Sequence, residues 1–177
     1  MKYLYERTDT IVHRPGLPFV CPLYVHARYT RDEILSALGH WTISHQPSMR
    51  EGVKYLPTIN TDLFLITLNK TDKDYSPTTM YEDYATSEDR FHWQSQSTTS
   101  EKSPTGQRYI NHEFRNSTVL LFVREDKKIN NLNMPYYFLG PATYVSHEGS
   151  RPISIVWRLT SPMPGKLIRT TERLAIV

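Results

Sequence analysis

Apolar and polar positions alternate along this chain in short runs, and most of those runs have the period of β-strands. Leu23 to Tyr29 alternates apolar Leu23, Val25 and Ala27 with Tyr24, His26 and Arg28, the pattern of a half-buried strand. One helix is predicted next. Thr30 with Glu33 three residues on makes a capping box, Ile34, Leu35 and Leu38 supply an apolar face, and Gly39 stands at the C-terminal stop. Val53 to Tyr55 reads as a short strand before Pro57 and a turn at Asn60. Thr61 to Leu68 and Ser117 to Arg124 are continuous apolar runs rich in β-branched residues, expected at the centre of a sheet.

The loop Asn69 to Thr79 leads to a short strand at Met80 to Ala85. Beyond the charged, Asn-rich connection Glu125 to Pro135, Tyr136 to Leu139 and Ala142 to His147 form two strands about a bend at Gly140 and Pro141. Ile153 to Thr160 is a further strand, and the proline-broken tail from Ser161 is not placed. The prediction is a mostly β (α+β) fold with a bent or barrel-like mixed sheet, SRA- or PUA-like, and one short helix at about residues 30 to 39. Residues 1–22, closed by Pro15, Pro18 and Pro22, are expected as an extended arm, and 23–177 as a single domain.

One stretch breaks the pattern. From Arg90 to His112 the sequence RFHWQSQSTTSEKSPTGQRYINH holds aromatic, imidazole, amide, hydroxyl and guanidinium groups, with Ile110 as its one aliphatic side chain. That is the composition of a binding surface rather than of a packing segment. Two strand-like arms are expected, Phe91 to Ser97 and Gln107 to His112, joined by the polar loop Thr98 to Gly106. On a nucleic acid, Trp93 and Tyr109 offer faces for base stacking, and Gln94, Gln96 and Asn111 both donate and accept along a base edge. Arg108 reaches phosphate or guanine, and Thr98 and Thr99 suit phosphate or backbone contacts. His92 and His112 face one another if the arms pair. The alternative is that Trp93 and Tyr109 are core aromatics and the polar residues are solvated.

Composition narrows the remaining classes. Hydrophobic residues make up 38% and charged residues 22% of 177, ordinary for a soluble domain. The 21 Lys and Arg against 18 Asp and Glu give a net charge of +3, which permits an acidic partner without demanding one. The surplus concentrates near the C-terminus, where Arg151, Arg158, Lys166, Arg169 and Arg173 face a single Glu172, as a solvated face or a phosphate-tracking surface. The lone Cys21 excludes an internal disulfide and suits a reducing compartment. Val119 to Val123, the longest purely apolar run, is far too short to span a membrane, and a cytoplasmic protein without membrane contact is expected.

No metal centre or other cofactor is expected: the histidines lack ligand spacing, and no glycine-rich phosphate loop occurs. No nucleophile elbow surrounds Ser95 or Ser97. A metal-dependent nuclease using Glu125 or Asp126 with Lys127 or Lys128 is one alternative function. A protein-docking module for a helicase or nuclease partner is another.

Four segments carry a resemblance. PLYVHARYTRDEILSALG at 22–39, REGVKYLPTINTDLFLITLNK at 50–70, SPTTMYEDYATSEDRFHWQSQSTTSEKSPTGQRYINH at 76–112 and FLGPATYVSHEGSRPISIVWRL at 138–159 resemble a bacterial family of domains of formerly unknown function. Its members stand at the C-terminal end of restriction proteins that combine a phospholipase-D-type nuclease with a superfamily-two helicase. The resemblance implies a defence-system module that recognises DNA, reading a modified cytosine, while cleavage and translocation belong to a helicase and nuclease domain or subunit. Neither a Walker A sequence nor a His-x-Lys motif occurs in this chain.

Overall fold

The structure, a computed structural model, describes residues 12–47, 49, 52–69 and 83–174, with side chains as far as Thr170. The first eleven residues of the expected arm, the loop from Lys70 to Thr79, the start of the strand expected at Met80 and the side chain of Arg173 lie outside them. In chain order the elements are β1 (Arg28–Tyr29), α1 (Arg31–Ala37), β2 (Val53–Leu56), a 3-10 turn (Pro57–Ile59), β3 (Thr61–Thr67), β4 (Tyr84–Ser87) and β5 (Arg90–Gln94). There follow α2 (Pro104–Ile110), β6 (Thr118–Arg124), the hairpin of β7 (Lys128–Ile129) and β8 (Leu132–Asn133), β9 (Tyr136–Glu148), β10 (Ser154–Leu159) and α3 (Gly165–Leu174).

β3 and β6 run parallel, residue for residue from Thr61 with Thr118 to Thr67 with Arg124, and the other pairings are antiparallel. The sheet is therefore mixed, in the order β2-β3-β6-β9-β10-β5-β4, with β1 added on β9. Its end strands do not pair with one another among the described residues, so it is not closed into a barrel. It is nevertheless strongly curled. Phe64 on β3 and Trp93 on β5 are separated by three strands, which would put them about 19 Å apart in a flat sheet, yet their rings stack 4.4 Å apart.

Curling creates two cores. Phe64, Ile66, Val119, Leu121, Val123, Ile155 and Trp157 fill the concave side. Leu63, Leu65, Leu120, Phe122 and Phe138 face the convex side, where Ile34, Leu35 and Leu38 of the α1 region cover them. β3 and β6 are buried on both faces, which is why their sequences are continuously apolar rather than alternating.

The predicted helix forms as expected. Glu33 N–H donates to Thr30 Oγ1 at 3.3 Å, Thr30 N–H donates to Glu33 Oε2 at 2.7 Å, and Gly39 takes a positive φ of 71°. Before it, Leu23 and Val25 are buried, but the expected strand shortens to β1 because His26 adopts a positive φ of 69°. The two strands expected around Gly140 are one, β9, whose register with β6 shifts between Leu121 and Phe122, beside Gly140 at φ 92°. A Cβ at Gly140 would press on Val25 Cγ2 at 3.1 Å, so glycine meets both needs there. The described part of the N-terminal arm lies on the domain: His13 bridges to Val25 and bonds Ser161 Oγ at 2.9 Å, and Cys21 is buried. No helix among the described residues is long and apolar enough to cross a membrane.

Candidate nucleic-acid interface

The anomalous stretch is half strand and half helix. β5 alternates as a strand should, turning Phe91, Trp93 and Ser95 inward and His92 and Gln94 to its other face. Gln107 to His112, expected as a second strand, belongs instead to α2 and the turn after it. Ser103 caps that helix by accepting from Gly106 N–H at 3.1 Å, and Pro104 takes its first turn, where a missing N–H is harmless. Gly106 lets the incoming loop lie against the helix, since a Cβ there would run into the Ser100 carbonyl.

Burial redistributes the expected roles. Trp93 is 5% and Tyr109 2% exposed; both pack on Phe64, and Tyr109 meets Trp93 edge-on at 5.5 Å. These rings are core aromatics, and a base cannot stack on them without displacing the core. His92 stacks on Tyr84 at 4.6 Å, and Gln94 donates its backbone N–H to Asp83 Oδ1 and its amide to Ser154 Oγ. His112 does not face His92, because β5 pairs with β4 and β10. It is buried and accepts from Tyr144 N–H at Nε2, which leaves Nδ1–H to donate to the Ser117 carbonyl and fixes the neutral tautomer. Asn111 is exposed and donates to Gln107 Oε1 at 2.9 Å.

What the fold does bring together is a polar cleft of about 420 Å³. One wall is β2, with Val53, Lys54 and Tyr55; the other is Gln96, Thr98, Thr99, Ser103 and Thr105, with Arg108 and Tyr109 of α2. Five of the ten residues expected to contact DNA, Gln96, Thr98, Thr99, Arg108 and Tyr109, therefore line one space. Arg108 is fixed twice over. Its Nε and Nη2 donate to the two Asp62 carboxylate oxygens at 2.7 and 2.9 Å, and its Cζ lies 4.2 Å over the Tyr55 ring. Burial pushes the Asp62 carboxyl up from its ordinary value, although Arg108 pulls it the other way. Burial also opposes the charge on Arg108, but the Asp62 hydrogen bonds and charge outweigh it and raise the guanidinium further. The bidentate geometry is that of an ionised pair.

The sequence pattern of the family described as Domain of unknown function (DUF3427) matches residues 23–170. The chain belongs to the DUF3427 family. No curated protein matches the chain. The DUF3427 span includes both walls of the cleft and the Asp62–Arg108 pair beneath it.

Within this DUF3427 domain the expected phosphate contacts lie on different elements, the turn before β10, β10 itself and α3. Arg151, exposed, adjoins Ser150, whose hydroxyl accepts from Glu101 N–H on the loop flanking the cleft. Arg158 is exposed on β10 opposite Thr143 and Arg90. Lys166 lies 3.9 Å from Glu125, past the far end of β6, and Arg169 is exposed one helical turn on. Of the acidic residues considered for a nuclease, Asp126 accepts from Asn69 Nδ2 at 2.9 Å and Glu125 faces Lys166. Among the described residues no three His, Cys, Asp or Glu side chains gather to hold a metal ion.

Lys54, Tyr55 and Asp62 were not anticipated. Asp62 had a legible signal: a single carboxylate inside the apolar run TDLFLITL needs a buried cationic partner. Lys54 and Tyr55 lie on a four-residue strand whose pattern says nothing of the loop it will face.

Proposed function

We propose that this domain is a non-enzymatic DNA-recognition module of a restriction or defence system, and that its cleft takes up DNA at a modified cytosine. The observation that carries the reading is the convergence of Gln96, Thr98, Thr99 and Arg108 with Lys54 and Tyr55 on one space. Ligand sites commonly occupy about 300–1,000 Å³, and the cleft's 420 Å³ falls in that range. The Gln96 amide suits a base edge. Thr98, Thr99, Ser103 and Thr105 suit sugar and phosphate oxygens, and Lys54 a phosphate. Asp62 takes two of Arg108's five N–H donors, which leaves three for a ligand.

The resemblance to restriction proteins supports DNA as that ligand, with a helicase and nuclease domain or subunit as the partner that translocates and cuts. The proposal keeps the likeness to SRA- and PUA-like domains, for which the curled sheet is the support, and a cytoplasmic setting, for which a sequence with a single, unbridged cysteine is the support.

The test is a titration of modified and unmodified duplexes over a salt series. Gln96→Ala should erase a preference of roughly 5- to 150-fold, the range of one bidentate base contact. Lys54→Ala should weaken both duplexes alike and reduce the salt slope by about 1. Binding of both duplexes no tighter than about 10⁻⁴ to 10⁻⁶ M at physiological salt would refute specific recognition. Cleavage in magnesium or manganese that Glu125→Ala abolishes would make the protein a nuclease instead.

A further inference from the structure

Among the described Phe, Tyr and Trp residues the most exposed ring stands on a turn closed by several backbone hydrogen bonds. Phe114 is 96% exposed. The turn beneath it is closed by Arg115 N–H to Asn111 O at 3.1 Å, Asn116 N–H to Glu113 O at 3.1 Å and Ser117 N–H to His112 O at 2.8 Å. The buried His112 ring anchors it to β9 through Tyr144 N–H. Asn60 then ties the turn to the cleft: its amide donates to the carbonyls of Arg115 and Asn116 at 3.2 and 3.0 Å, and its Oδ1 accepts from the Tyr55 hydroxyl at 2.8 Å.

A lone exposed apolar side chain is ordinary. This one differs in place and chemistry, because a single asparagine links its turn to a wall of the cleft and the exposed Arg115 is its neighbour. The cleft's own aromatics make poor platforms: Tyr109 is buried, and one face of Tyr55 is covered by Arg108. Phe114 is an uncovered ring on the turn that this chain of bonds ties to the Tyr55 wall. Proteins that hold DNA in a distorted form commonly wedge an apolar side chain between base steps.

We propose that Phe114 stacks on, or wedges beside, a base next to the nucleotide held in the cleft, with Arg115 on the adjoining phosphate. Glu113, the exposed residue that precedes Phe114 in the chain, disfavours a phosphate beside it, so the strand is expected to pass on the Arg115 side. The inference rests on the DNA reading above and names a contact that the reading does not need.

Duplexes carrying the modified cytosine and a neighbouring 2-aminopurine test it, by affinity and by the fluorescence rise that accompanies unstacking. Phe114→Ala should lose roughly 5- to 150-fold in affinity, the loss expected of one base–aromatic contact, and lose the fluorescence change, with an unaltered melting temperature. Phe114→Trp should keep both. If Phe114→Ala binds within about twofold of the parent while Gln96→Ala still loses discrimination, the inference fails and the cleft reading stands. If the parent protein binds no duplex, both fail. If Phe114→Ala keeps DNA affinity but loses association with a purified helicase–nuclease partner, the turn is a protein-docking element and the inference is overturned.

Discussion

Removing the Arg108 side chain should destabilise the protein far more than the loss of an ordinary salt bridge. The Asp62 side chain is 1% exposed and Arg108 19%, so Arg108→Ala leaves a carboxylate with almost no access to water. Breaking a buried pair from one side typically costs about 3–5 kcal/mol, against about 0–1 kcal/mol for a surface pair. Asp62→Ala should cost less, since the guanidinium it leaves behind is the more exposed of the two charges and can be solvated. In urea, with a slope of about 2 kcal/mol per molar, the Arg108→Ala midpoint should fall by roughly 1.5–2.5 M. The double variant should recover part of that loss, because it removes the stranded charge. A midpoint within about 0.5 M of the parent for Arg108→Ala, or equal losses for the two single variants, would refute the argument.

Three further outcomes follow from the packing and the caps. Trp93→Ala should lower stability by about 3–5 kcal/mol in chemical unfolding, because the ring is stacked on Phe64 in the concave core; a loss confined to DNA discrimination would show the ring to be a reader instead. Gly106→Ala should push the Ser100–Glu101 backbone off α2 and deform the cleft wall, seen as amide shift changes over residues 96–103 and weakened DNA binding. The Glu33 carboxyl is held below its ordinary value by the Thr30 backbone N–H and hydroxyl. Its stabilising effect is thus present above the ordinary glutamate range and lost as pH falls through the depressed value. Glu33→Gln should flatten that acid limb of the melting-temperature profile, and an identical limb in both proteins would contradict the capping-box account.

Local signals in the sequence were legible where local chemistry decides the structure. Thr30, Glu33 and Gly39 specify α1 within ten residues, and the apolar runs of β3 and β6 announce strands covered on both faces. α2 was not legible from Gln107-Arg108-Tyr109-Ile110, whose composition suits a strand. Its helix is decided upstream by Ser103 and Pro104 and by the burial of Tyr109. α3 was hidden by Pro162 and Pro164, although Leu167 and Ile168 donate to the Pro164 carbonyl, so that proline opens the helix rather than breaking it. Half of the cleft could be read from residues 96–109. The other half depends on Arg108 meeting Asp62, 46 residues away, a pairing that only the curled sheet creates.

The central claim is that DNA enters the cleft between β2 and the segment from Gln96 to Arg108, and an NMR titration of the isotopically labelled protein with a modified-cytosine duplex tests it most directly. The account predicts the largest amide shifts at Lys54, Tyr55, Gln96, Thr98 and Thr99, saturating together and weaker with the unmodified duplex. Shifts centred on Lys127 to Asn133 or on Lys166 and Arg169, with the cleft unmoved, would contradict it.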